Sequence, residues 1–394
     1  MRYRPFLLLL CFLACAPPPS LGQEAAKKPR ARDLGVPFDG TPGKFNAITD
    51  VAGVLVGHTT LISGEGKLEV GKGPVRTGVT AVLPRGKDSM NDAVFAGWFS
   101  ENGNGEMTGT TWVEESGFLE GPVMITNTHS VGVVRDAVIA WRVMHGQPDP
   151  TEYWWSLPVV AETWDGWLND INGFHVKTEH AFHAIDSAQA GPVEEGSVGG
   201  GTGMICNGFK GGIGTSSRLL EAKQGGYTVG ALVQCNYGSR QNLRIAGIPV
   251  GREIPSGVPA AYQPSEISER GSIIVVIATD APLLPHQLKR LARRVSLGLG
   301  RNGSISGNGS GDIFVAFSTA NPRAEGVKDP VSVTMLPNDR LDAIFAATVQ
   351  VVEESVVNAM VAAETMTGID NHKVDALPHD KLREVLKKYN RLAQ

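Results

Sequence analysis

The stretch SERGSIIVVIATDAP, residues 268–282, changes character within a single step. Ser268, Glu269 and Arg270 are polar or charged. Gly271 and Ser272 follow, and then Ile273, Ile274, Val275, Val276 and Ile277 run without interruption. A short unbroken β-branched run behind a glycine reads as a buried strand, with Ser272 at its first position. Pro285 can open a helix at its first turn, and Leu288, Leu291, Ala292, Val295 and Leu299 give that helix an apolar stripe. "DIFVAFST", Asp312–Thr319, is a second strand. A long helix is expected from about Leu341 to Thr367. Leu341, Phe345, Thr348, Val349, Val352, Val356 and Met360 repeat there at three and four, and Gly368 suits its end. "HDKLREVLKKYN" is a terminal amphipathic helix. Strand, helix, strand, helix implies sheets with helices packed on them.

Upstream, short β-rich runs (Val54–Val56, Gly78–Leu83, Pro122–Thr126, Thr228–Gln234) are separated by glycine-rich turns. A helix follows "NTHS", with Val133, Val134, Val138, Ile139 and Trp141 on a mostly apolar face. Residues 250–271 hold three prolines and little periodicity, which reads as an exposed loop. The 394 residues suit one large α/β domain or two fused ones. Apolar content of 42% and charged content of 19% are ordinary for a globular protein with a sizeable core. A net charge of −4 gives no reason to expect nucleic acid or an acidic membrane as partner.

The N-terminus reads as an export signal over residues 1–22. Arg2 and Arg4 precede an apolar run, Phe6 to Ala16, too short to span a bilayer, and Ser20-Leu21-Gly22 has the form of a cleavage site. Lipidation at Cys15 is the alternative. Residues 23–34 are expected as a loose tail, and no later segment reads as a membrane helix. The expected location is periplasmic or secreted. Outside the signal only Cys206 and Cys235 remain of four cysteines. Export permits a disulfide, but spacing does not show that they meet, and two small buried thiols is the commoner reading.

Familiar catalytic motifs are mostly missing. "GGGTGM", Gly199–Met204, lacks the lysine and hydroxyl of a phosphate loop. His180 and His183 are three apart with His175 nearby, a spacing that can hold zinc. Three histidines in a polar stretch are more often surface residues, so no metal and no cofactor are expected. "GNGSG", Gly307–Gly311, fits the hydrolase nucleophile pentad, but a strand follows it where that motif needs a helix.

Gly271-Ser272 offers a different chemistry. A serine hydroxyl is a poor nucleophile until something removes its proton. If the chain is cut before Ser272, its own α-amine, of pKa about 7.7–8.0, is freed to act as base. Such a residue belongs at the edge of a rigid sheet, behind a loop that can strain and leave. A glycine in front removes bulk where the hydroxyl must attack the preceding carbonyl. The bland alternative is a serine that merely starts a strand.

"GSIIVVIATDAPL", "GGGTGMICNGFKGGIGTSSR" and "NGSGDIFVAFSTAN" together resemble the L-aminopeptidase/D-esterase family, which includes D-aminopeptidase A and the bacterial β-aminopeptidases. "ITNTHSVGVVRDAV" and "VVAETWDGWLNDING" fit too, and the likeness runs from about Gly35 to Met366. The resemblance implies a four-layer α-β-β-α sandwich like that of N-terminal nucleophile hydrolases, with its own strand connectivity. It implies a single catalytic domain, residues 35–394, self-cleaved between Gly271 and Ser272 into an α chain 23–271 and a β chain 272–394. Ser272 would be the nucleophile, assisted by Ser310 and Asp312, and Asn236 of "VQCNYG" would line the oxyanion hole. Where the family has a tyrosine as second oxyanion donor, this chain has Trp164, whose indole N–H donates from a different place. Glu162 resembles the carboxylate that holds the substrate's free amine, and Trp155 a wall of the substrate pocket. Their structural alternatives are a surface carboxylate and a core aromatic.

The leading reading is an exported serine aminopeptidase or amidase. It would release β-amino, D- or small L-residues from short peptides, amides or esters, as a homotetramer of α-β pairs. One rival is an acyl or amide-group transferase, or a pantetheine-type amide hydrolase, on the same fold; a competing amine acceptor separates transfer from hydrolysis. The other is an exported binding protein that stays uncleaved, which denaturing electrophoresis identifies by a single band.

Overall fold

The computed structural model describes residues 28–87, 92–145, 155–255, 269–325 and 329–393. The signal, Cys15 and residues 256–268 of the expected loop lie outside the described residues. In chain order the strands begin with β1 (Leu55–Ser63), β2 (Val75–Leu83), β3 (Val94–Ser100), β4 (Phe118–Leu119), β5 (Val123–Asn127), β6 (Val159–Thr163) and β7 (Ile205–Cys206). They continue with β8 (Phe209–Lys210), β9 (Gly212–Leu219), β10 (Thr228–Asn236), β11 (Arg270–Thr279), β12 (Gly309–Ser318), β13 (Met366–Thr367) and β14 (Lys373–Val374). The helices are α1 (Thr110–Ser116), α2 (Val131–His145), α3 (Thr178–Asp186), α4 (Val250–Glu253), α5 (Pro285–Arg301), α6 (Asp342–Val361) and α7 (His379–Lys388).

Two sheets carry the fold. One has the order β1-β2-β5-β6 and the other β4-β3-β12-β11-β10-β9. Pairs β5–β6 and β11–β12 are parallel, the other neighbours antiparallel. Parallel neighbours need a crossover, and α2 and α5 supply it. Period-two alternation sorts the side chains into layers. Ile274, Val276, Ile313 and Val315 meet Val56, Val82, Ile125 and Ala161 between the sheets. Ile273, Val275, Ile277 and Phe314 face α5 and α6 on the outer side, while Val79, Met124 and Val160 pack with α2 and α3. This is the α-β-β-α sandwich the resemblance implies.

Five expectations change. Strand β11 starts at Arg270, so Ser272 is its third residue and the Gly271–Ser272 peptide lies inside the ladder. Helix α6 ends at Val361, not Thr367: the Val361 carbonyl accepts from His379 Nε2 at 2.9 Å, and Met366–Thr367 pairs with Lys373–Val374. Gly368 is there for close approach, since a Cβ would overlap the Leu168 carbonyl. Residues 28–34 of the expected tail are tied down: Arg30 pairs with Glu195 at 2.7 Å, Arg32 with Glu354 at 2.8 Å, and Ala31 N donates to Asn358 Oδ1 at 3.0 Å. Cys206 and Cys235 form a disulfide with Cα atoms 5.6 Å apart, where free thiols were the commoner reading. Finally, α6 is long and apolar enough by composition to cross a membrane, yet 78% of its most apolar window is buried inside the protein.

The three histidines diverge. His175 Nε2 binds Asp170 at 2.9 Å, His180 Nδ1 accepts from Lys177 N at 2.9 Å, and His183 Nδ1 bonds Thr59 Oγ1 at 3.0 Å.

Candidate active site

Ser272 is buried, 3% exposed, between two strands. Its Cα partner on β10 is Asn236 and on β12 is Gly311. Alternation puts the Ser272 side chain on the face of Ile274, toward the other sheet. Asn236 shares that face with Gln234, whose amide donates to Thr126 O and Thr163 Oγ1 across the sandwich. The Asn236 amide is held at both ends: Oδ1 accepts from Ile205 N at 2.8 Å and Nδ2 donates to Trp164 O at 2.9 Å.

Gly271 explains itself. Its φ is +113°, a conformation that side chains rarely adopt. A Cβ would also overlap the Asn236 carbonyl and come within 3.0 Å of Tyr237 Cα.

Ser310 sits opposite Gly271 in the parallel ladder. It is fully buried, and its Oγ donates to Asp312 Oδ1 at 2.6 Å. Burial pushes the Asp312 carboxyl up to about 6, with the negative charges of Glu269 and Glu101 adding to the rise and the Ser310 hydrogen bond opposing it. Ser310 and Asp312 lie on the face of Phe314, the opposite face from the Ser272 side chain. The backbone nitrogen of Ser272 lies in the sheet plane between those faces.

Glu162, next to last in β6, is 3% exposed. Oε1 accepts from Glu106 N at 3.0 Å and Oε2 from the Thr128 hydroxyl, while burial pushes its carboxyl up. A latch that sequence reasoning missed joins it to the start of β12, where Gly311 pairs with Ser272. Asn102 donates to Ser306 O and Gly307 O and accepts from Asp312 N at 3.0 Å; Asn104 donates to Gly309 O. Gly105 fills the gap: a Cβ there would lie 3.2 Å from Gly311 Cα and 3.3 Å from Glu162 Oε1. The run "ENGNGEM", Glu101–Met107, announces turns by its Asn-Gly pairs, but nothing in it names a partner two hundred residues away.

The two tryptophans are more exposed than the rest of this cluster. Trp164 is 41% exposed and reaches Asn236 through its backbone carbonyl; its indole packs over Gly166, where a Cβ would lie 2.9 Å from Nε1. Trp155 is 58% exposed, four residues ahead of β6, and among the described residues no contact joins it to Ser272, Asn236 or Glu162. Two further buried charges escaped the sequence reading. Asp165 is pushed up to about 7 and Lys210 down to about 7, each by burial; the charge of Asp165 works against the Lys210 shift. Among the described residues no group of three His, Cys, Asp or Glu could hold a metal ion.

Fold and site together define a peptide-bond hydrolase with the architecture of the N-terminal nucleophile hydrolases. The chain belongs to peptidase family S58, whose pattern matches residues 46–374. It is 59% identical over 403 aligned residues to the β-peptidyl aminopeptidase BapA of Sphingosinicella microcystinivorans, spanning 100% of this chain and 99% of that protein. It is 51% identical over 369 residues to the BapA of Sphingosinicella xenopeptidilytica, spanning 91% of each. A solved structure, the L-aminopeptidase D-Ala-esterase/amidase of Ochrobactrum anthropi, superposes with a TM-score of 0.85 at 51% identity, covering 93% of this chain and 100% of that one. That enzyme is described as a prototype for the serine aminopeptidases and a new variant among the Ntn hydrolase fold.

Proposed function

We propose that the chain is an exported β-peptidyl aminopeptidase that cuts itself between Gly271 and Ser272 and then uses Ser272 as its nucleophile. The observation that carries this reading is the register Asn236–Ser272–Gly311, with Gly271 held at φ +113° against Asn236. In the first reaction Ser272 Oγ loses its proton and adds to the Gly271 carbonyl carbon. The C–N bond then breaks, and the nitrogen keeps the electron pair and takes up a proton. Gly271 is left as an ester on Oγ, and water opens that ester to a Gly271 carboxylate and a free Ser272 hydroxyl.

In the second reaction the freed α-amine of Ser272 takes the hydroxyl proton, and Oγ attacks the substrate carbonyl. Ser310, hydrogen-bonded to Asp312, steadies the amine from the opposite face. The Asn236 amide receives the oxyanion, a contribution of several kcal/mol by order of magnitude. Glu162, once ionised, holds the free ammonium of the substrate, which restricts attack to the N-terminal residue. A longer backbone between amine and carbonyl, as in a β-amino acid, suits an anchor separated from Ser272 by Gly311 and Gly105. Export rests on residues 1–22, and assembly of α-β pairs into a homotetramer rests on the family resemblance.

The test is N-terminal sequencing of the purified protein with a panel of β-alanyl, D-alanyl and L-aminoacyl amides. A second chain starting at Ser272 and preference for the β-alanyl amide are expected. The Ser272→Ala protein should stay as one chain and turn over nothing. If it is still cut after Gly271, an outside protease makes the cut; no turnover of any amide by wild type refutes the aminopeptidase.

A further inference from the structure

We propose that Glu269 is a positioning residue for the chain's own cleavage: its carboxylate pins the segment ahead of the scissile peptide onto the 304–307 turn, so that the Gly271 carbonyl is held for Ser272 Oγ. The inference rests on the self-cleavage reading above.

Glu269 is 2% exposed although it stands at the mouth of a polar loop. Both of its oxygens are used: Ser304 Oγ donates to Oε1 at 2.5 Å and Ile305 N donates to Oε2 at 2.9 Å. Ser304 Oγ in turn accepts from Ser306 N at 3.1 Å, so the turn and the carboxylate organise one another. The backbone is gripped as well. A Cβ at Gly307 would come within 2.7 Å of the Glu269 carbonyl and 2.8 Å of its Cβ, which only glycine allows. The ladder then continues with Arg270 opposite Gly309 and Gly271 opposite Ser310.

A carboxylate is costly to bury unless its lone pairs are met, and a plain strand start has no need of one. The need arises one step later. Gly271 is held out of ordinary strand geometry and wedged against Asn236 and Tyr237. A glycine left to itself would relax away from that conformation, because it has the most freedom to regain. Anchors on both sides prevent this: Ile273 to Ile277 hold the segment after the bond, and Glu269 holds the segment before it. After the cut Glu269 is the third residue from the end of the α chain, its anchor no longer holds a scissile bond, and what it retains is the charge it places beside Asp312.

The test follows precursor made by cell-free translation of wild type, Glu269→Gln, Glu269→Ala, Ser304→Ala and Ser272→Ala. Conversion to two chains is read by denaturing electrophoresis, and kcat and KM are measured per processed molecule. Glu269→Ala should convert at least tenfold more slowly. Glu269→Gln, which keeps one acceptor oxygen, should fall between it and wild type. The processed fraction of each, assayed at pH 8 where Asp312 is ionised with or without the Glu269 charge beside it, should show wild-type kcat and KM. Conversion of Glu269→Ala at the wild-type rate overturns the proposal, as does a loss of kcat in the processed fraction equal to the loss in conversion. Should Glu269→Ala not fold, Ser304→Ala removes one donor from a wild-type carboxylate, and unslowed conversion there overturns it equally. Wild type that never converts, or Ser272→Ala that does, removes the self-cleavage reading and this inference with it.

Discussion

In the proposed mechanism Asp312 controls the pH dependence of the site. Its carboxylate accepts the hydrogen bond by which Ser310 is set to steady the Ser272 nitrogen, and burial pushes that carboxyl up to about 6. Before the cut there is no α-amine, so the rate of self-cleavage should fall as pH drops through about 6. After the cut the α-amine must also be neutral, and its ordinary value is about 7.7–8.0. The acid limb of turnover should therefore lie at higher pH than that of processing. Stability runs the other way. A carboxyl raised above its unfolded value favours the folded state while protonated, and that advantage is lost as pH rises through about 6. Asp312→Asn should abolish or greatly slow conversion yet melt higher than uncleaved Ser272→Ala at pH 8. Conversion rates that stay flat from pH 5 to 8 would sink this assignment. At this scale the sequence was informative where chemistry and local pattern coincide: Gly271-Ser272 before an apolar run marks itself. Glu269 did not, because a charged residue at the end of a loop looks solvated until the 304–307 turn is seen closing over it. The contact that Trp164 makes with Asn236 was not legible either, since it runs through the backbone, which every residue type shares.

Elements β7 and β10 meet beside the Asn236 amide, and the disulfide lies at that meeting. Cys206 follows Ile205, which donates to Asn236 Oδ1, and Cys235 precedes Asn236 itself. The cross-link closes a separation of 29 residues, which by chain entropy stabilises by about 2–4 kcal/mol. Its neighbours make it a brace for the amide too. The Cys206→Ser/Cys235→Ser double variant should melt several degrees lower and lose kcat by more than it raises KM, because in the proposed mechanism the amide acts on the oxyanion and not on the bound substrate. An unchanged kcat at a temperature where the variant is fully folded would show that the hydrogen bonds alone hold Asn236. Strand and helix types were legible from periodicity for β11, β12, α2 and α5. Their ends were less so. Helix α6 stops at Val361 because His379, 18 residues on, takes the Val361 carbonyl. Strand β11 begins early because β12 pairs with Arg270 and Gly271, residues whose own propensity is poor. Tertiary partners decided both.

On the scale of the whole molecule, the proposed cut falls in the middle of the structure. The β chain would supply β11 from Ser272 onward, β12, α5 and α6, while β3 and β10, their neighbours on either side in the six-stranded sheet, would come from the α chain. The alternation of strand and helix in the last third implied sheets with helices packed on them, and the four-layer order came from the family resemblance; the order of strands within the sheets was not legible, since antiparallel neighbours far apart in sequence carry no local mark. This arrangement fixes what cleavage can do. Breaking one peptide bond leaves intact the ladder of β11 with β10, from Ser272 opposite Asn236 to Thr279 opposite Val229, and that of β12 with β3. Ile273 to Ile277 remain in the cores on both faces, each 0% exposed. Each fully buried aliphatic side chain contributes about 1.5–3 kcal/mol, so separating the chains would expose far more than any loosened loop releases. Processed protein should thus run as one species in native mass spectrometry and gel filtration, with the two chains parting only in denaturant. Residues 272–394 expressed alone should fail to fold, because β11 and β12 would form a two-stranded sheet with both edges open and its inner face bare. A β chain that comes off the column by itself under native conditions would mean that the cut weakens the sheet, against this account of how the two chains share one core.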